Sequence, residues 1–170
     1  MTLPVVSPEE DAAFVQAVLG QDDLAVVVRG HIHVENRVLR LIDLVCPAPH
    51  HLKRMELDFA QQVQLALALG LPETCGPPLH ALGNMRNSFA HKLSAKLSKD
   101  RVDALYKCFS AQDKTIVQAT YERLQQRPGE TKRAPLRKLE ARDQFVFLAT
   151  SLRSMVQAHI NLAQGVGSDA

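Results

Sequence analysis

Proline and glycine constrain this chain more than any other feature, because they fall in clusters and leave long stretches of helix formers between them. Ser7-Pro8-Glu9-Glu10 reads as a helix start, with Ser at the N-cap, Pro at the first helical position and Glu completing a capping box. Gly20 ends that short helix. From Asp22 a longer helix runs to about Val45, carrying Leu24, Val27, Val28, Ile32, Val38, Leu39, Ile42 and Val45, and Cys46-Pro47-Ala48-Pro49 stops it. A third helix spans about Leu57 to Leu69, with Phe59, Val63, Ala66, Leu67 and Ala68 as its apolar stripe and Gly70 as its cap. The fourth runs from about Pro78 to Leu93, with Leu79, Leu82, Met85 and Phe89 at helical spacing. A short piece near Asp100 to Phe109 and a helix from about Ala111 to Gln126 follow, then a breaker at Pro128-Gly129. The last helix is expected over residues 135–164, with 165–170 as a mobile tail.

The composition agrees with an all-α chain. With 170 residues and 46% hydrophobic content, residues 1–170 form one domain able to bury a core without disulfide or metal support. Cys46, Cys75 and Cys108 are too widely spaced for a redox CxxC or a zinc knuckle, and read as reduced thiols. The N-terminal residues show no basic stretch followed by a long apolar core, and no run of 18 apolar residues occurs, so no membrane association is expected and a cytoplasmic location is. Residues 1–28 carry a net −5 and the remainder +7, a distribution compatible with a polyanionic partner or with an ordinary solvated surface. The basic residues Arg127, Lys132, Arg133, Arg137, Lys138 and Arg142 gather ahead of the last helix and could track a phosphate backbone.

The stretch Arg86-Asn87-Ser88-Phe89-Ala90-His91 holds the residues best suited to chemistry. Arg offers a planar fork of donors matched to phosphate oxygens, and His titrates nearest neutrality, so the set could hold a phosphate and move a proton without a metal. On a straight helix Arg86 and His91 diverge by roughly 140°. Asn87 and His91, four apart, share a face. A concave site therefore needs the helix to end or distort near His91, or a second copy of the chain to supply the complementary pair. The plainer alternative is a surface ion pair for Arg86, a local bond for Asn87 and a histidine favourably placed near the helix's negative pole.

A second polar cluster, Arg29-Gly30-His31-Ile32-His33-Val34-Glu35-Asn36, interrupts an otherwise apolar helix. The band of Arg29, His31, Glu35 and Asn36 either faces the motif helix, with Glu35 pairing with Arg86 or orienting His91 and raising its pKa, or is a solvated stripe. His31, His33 and Glu35 make a poor zinc set, since HxxxE supplies only two ligands on one face. His50 and His51 fall in a loop, and His80 and His159 stand alone in helical segments, where packed or solvated roles are the usual ones. No GxxxxGKS, GxGxxG, HExxH or GxSxG arrangement is present. No metal or cofactor is expected.

The Arg-Asn-x-x-x-His pattern of Arg86 to His91 resembles the signature of HEPN domains, all-α dimeric domains found in many prokaryotic nucleases and toxins. The longer pattern is similar to the mannitol operon repressor (MltR-like) branch of that group. It comprises Arg29-Gly30-His31 with Glu35-Asn36, Phe59 through Ala66-Leu67-Ala68-Leu69-Gly70-Leu71, and Leu82 with Arg86 to His91, and it covers residues 22–95. Residues 96–134 match nothing of that pattern. The resemblance implies a helical bundle whose homodimer brings two motif copies into one cleft that cuts RNA without metal. Arg86 would hold the phosphate, Asn87 would orient, and His91 would act as acid and base. For a toxin-like nuclease an antitoxin protein would be the partner. The repressor branch implies instead a non-catalytic transcriptional regulator contacting DNA or protein; from charge alone, Lys132, Arg133, Arg137 and Lys138 are the candidate nucleic-acid contacts.

Overall fold

The computed structural model describes residues 22–92, 95–126 and 134–165. The helix expected from Ser7, the basic residues Lys132 and Arg133 and the tail beyond Gly165 lie outside them. Six α-helices make up the described chain: α1 Asp23–Val45, α2 Phe59–Ala68, α3 Gly76–His91, α4 Lys99–Lys107, α5 Ala111–Gln125 and α6 Ala141–Ala163. Short 3₁₀ turns at Pro49–Arg54, Glu73–Cys75 and Leu136–Lys138 link them, and no strand occurs among the described residues. The protein is an all-α helical bundle.

Local sequence sets the helix ends. Asp22 caps α1 by accepting from the Ala25 backbone N–H at 2.8 Å. Asp58 and Gln61 form a reciprocal capping box on α2, each bond 2.9 Å. At the other end of α2, Gly70 at φ +108° allows Leu71 N–H to reach the Ala66 carbonyl and Gly70 N–H the Leu67 carbonyl, the bonding of a Schellman cap. Together these caps confine α2 to ten residues lying across α1 and α3.

Helices α1 and α6 form the spine and run parallel. Asp23 at the start of α1 meets Arg142 at the start of α6 (2.9 Å), and Gly30 lies against Phe145 and Ala149 further along. The core between them and α3 comprises Val27, Val34, Val38, Leu79, Leu82, Phe145, Leu148 and Leu152, all buried. Burying each such side chain contributes about 1.5–3 kcal/mol, enough to order helices with little stability of their own. Gln144, fully buried, is satisfied by bonds with Lys99 and Asp103 and thereby fixes α4 on α6.

Two expectations are corrected. The last helix begins at Ala141, not near residue 135: Leu136 inserts into the core as part of a separate 3₁₀ turn, and Leu139 and Glu140 are extended (ψ 153° and 147°), which breaks the path. On α1, Leu24, Ile32, Leu39 and Val45 are exposed, while Val26, Val34 and Leu41 are buried in their place. An α1 apolar on nearly every side does not reveal by periodicity which face turns inward.

Candidate functional site

Helices α1, α2 and α3 enclose a pocket of about 260 Å³ lined by both polar segments singled out in the sequence. His31 and Glu35 reach it from α1, Asp58 and Phe59 from the start of α2, and His80, Gly83, Asn84, Arg86 and Asn87 from α3. Close packing shapes its floor. A Cβ at Gly83 would stand 2.8 Å from Phe59 Cδ1, so glycine is what lets the Phe59 ring lie against α3. Phe59 in turn meets the His31 ring edge-on, with centroids 4.3 Å apart.

His31 is the most constrained polar group of the pocket. It is 2% exposed, and its Nδ1 has no hydrogen-bond partner; Glu35 Oε2 is 3.6 Å away, too long for a hydrogen bond. Burial, followed by the nearby Arg86 guanidinium, pushes the His31 imidazole down to about 4. The ring is therefore neutral near pH 7, and its contact with Glu35 is not an ion pair. The expectation that Glu35 orients His91 is corrected here, since His91 lies outside the pocket that Glu35 lines. The imidazole that Glu35 faces is His31, at 3.6 Å, whose pKa burial and Arg86 lower.

Arg86 is exposed, and its Nη1 donates to Asn87 Oδ1 at 3.0 Å. The ion pairs formed among the described residues are Lys99–Asp103 and Arg142–Asp23, so among those residues Arg86 has no carboxylate partner and Glu35 does not pair with it. His91 does not line the pocket. It is the last residue of α3, exposed, about 6 Å further along the axis than Asn87. The rest of the expected band divides. Arg29 and Asn36 are exposed and outside the pocket, because 100° per residue turns both away from the face shared by His31 and Glu35. Arg29 instead belongs with Arg37 and Arg153 around His33, whose pKa burial and these three cations lower.

Sequence reasoning set His80 aside, yet it lines the pocket and bonds to Gln64 at 2.9 Å. The signal was available: His80, Asn84, Asn87 and His91 fall at i, i+4, i+7 and i+11, a continuous polar stripe along α3. Of the basic connector, Arg137 and Lys138 are exposed on the 3₁₀ turn, while Arg142 is engaged with Asp23. No group of three or more His, Cys, Asp or Glu side chains with a metal-binding arrangement occurs among the described residues. No helix among them is long and apolar enough to cross a membrane. Comparison with protein-family models, with curated proteins and with solved structures finds no match.

Proposed function

We infer that the protein is a metal-independent endoribonuclease of HEPN type, toxin-like, acting as a homodimer. The observation that carries this reading is Arg86: a guanidinium on a polar pocket, braced by a neutral amide and joined to no carboxylate among the described residues. Its remaining donors are available to a phosphodiester. In this scheme Arg86 binds the scissile phosphate and stabilises the charge that develops on it, with Asn87 fixing the guanidinium. His91, solvent-facing at the helix end, takes the proton of the ribose 2′-hydroxyl as that oxygen attacks phosphorus. The P–O5′ bond breaks and O5′ leaves with a proton given by the protonated His91 of the second copy, giving a 2′,3′-cyclic phosphate and a 5′-hydroxyl. A second copy supplies the complementary Arg86 and His91 across the cleft.

A second reading, a non-catalytic regulator of MltR-like type that contacts DNA or a protein, is favoured by the exposed cations Arg137 and Lys138. Incubation of an end-labelled RNA pool with the full chain in EDTA separates the two. The nuclease reading expects cyclic-phosphate ends that vanish in folded His91→Ala and Arg86→Ala variants. An inert wild-type protein, or cleavage that survives both substitutions, would count against it.

A further inference from the structure

We propose that the pocket between α1, α2 and α3 receives one unpaired guanine base, read along its Watson–Crick edge by Glu35, beside the phosphate held at Arg86. This rests on the ribonuclease reading above and names the substrate group that the same site would select. Glu35 and Arg86 line one small pocket with opposite charges, yet no ion pair joins them. A ligand that satisfies both must carry a donor edge and an anionic group, as a nucleotide does. Asp58, the other carboxylate of the pocket, is already engaged in capping α2 through Gln61 N–H at 2.9 Å. Glu35 is then the carboxylate of the pocket that no helix cap engages.

A carboxylate has two oxygens in one plane, and guanine alone among the four bases presents two adjacent N–H donors, at N1 and N2, to meet them. Adenine and cytosine set a ring-nitrogen acceptor beside their amino group, and uracil sets carbonyls on both sides of its N–H. Each would place a lone pair against the carboxylate, at the cost of an unmatched buried polar contact. The pocket also supplies an apolar surface for the base in the Phe59 ring, which the His31 ring supports edge-on. At about 260 Å³ the space suits a single base rather than a duplex, and unpaired bases are commonly recognised by such stacking and edge contacts.

Calorimetric titration of the full chain with guanosine, adenosine, cytidine and uridine 3′-monophosphates, and with inorganic phosphate, tests the proposal. Guanosine 3′-monophosphate is expected to bind at least about tenfold tighter than the other three, a margin of 1.4 kcal/mol. In Glu35→Gln, checked for unchanged helicity and melting, that preference should disappear while phosphate binding persists. Arg86→Ala should weaken all four nucleotides alike. Equal binding of the four, no binding of any, or a guanosine preference that survives Glu35→Gln overturns the assignment. Guanosine preference in a protein that cuts no RNA would remove the nuclease reading and leave the base pocket standing. Cleavage with no guanosine preference would do the reverse.

Discussion

Lowering the pH should destabilise this protein through His31, and the size of the effect follows from the pocket. The ring titrates at about 4 when folded against an ordinary 6.5, so the unfolded chain binds more protons than the native one between those values. Stability from the buried neutral ring is fully present above pH 6.5 and is lost as pH falls toward 4. The full difference is on the order of 3 kcal/mol, of which about 2 kcal/mol is gone by pH 5. For a chain of this length that corresponds to a fall in Tm of roughly 4–8 °C. Urea denaturation of wild type and His31→Gln at pH 7.5 and pH 5 reads the difference directly. Subtracting the variant's own pH dependence removes the contribution of His33, which burial and its neighbouring arginines also lower. Glu35, Asp58 and His80 share the pocket and remain in both proteins. Equal loss of stability in wild type and variant would mean that His31 takes up its proton in the folded state without penalty, and the account of the pocket floor would fail.

Three further outcomes are expected. Gly83→Ala gains about 1 kcal/mol of helix propensity, but its Cβ would lie 2.8 Å from Phe59 Cδ1. Overpacking of that kind costs about 1–3 kcal/mol, so a net loss of about 1 kcal/mol is expected in thermal melts. Asp23 accepts from Leu97 N–H (3.0 Å) and Arg142 (2.9 Å), and these partners, Leu97 first, hold its carboxyl below the usual range. Asp23→Asn should cost about 1 kcal/mol at pH 7 for this half-exposed pair, and the gap should close as pH falls through the lowered carboxyl pKa, where the wild-type group is protonated too. Mixing Arg86→Ala with His91→Ala protein should restore about a quarter of RNA cleavage if Arg86 of one copy works with His91 of the other in a symmetric dimer. No restoration would place the whole centre in one chain.

The order and type of the helices were legible because turn chemistry is local. Asp22, Asp58, Gly70 and the Pro47–Pro49 and Pro77–Pro78 clusters act through their own backbone neighbours, and helix boundaries fell close to them. The inward face of α1 was not legible, since Ile32 and Val34 are equally apolar and only the path of α6, admitted at Gly30, decides between them. The meeting of His31 and Glu35 with the motif helix was open in the sequence, because facing one another across a bundle is a long-range property. What decides it is α2: its two caps set its length, and Phe59 wedges between His31 and Gly83. His80 was missed because histidines were weighed singly rather than along the polar stripe of α3.

The position of His91 follows from the same packing. Leu82, Met85 and Phe89 commit one face of α3 to the core, which leaves Asn84, Asn87 and His91 on the opposite side, roughly 140–200° round from Leu82, and Arg86 at the edge between, roughly 40° from Leu82. Arg86 can therefore belong to the pocket and still meet solvent, whereas His91, on the stripe of Asn84 and Asn87, lies about 6 Å beyond Asn87 at the helix end and outside the pocket. Rotating α3 does not bring them together, since the roughly 140° between Arg86 and His91 is fixed by the helix itself. For a phosphate held at Arg86 to meet His91, that His91 would come from a second copy of the chain, whereas His31 and His80 of the same copy already line the pocket. That geometric demand is the physical reason to expect a second copy at the site, and it would hold for any chemistry that uses these two residues together.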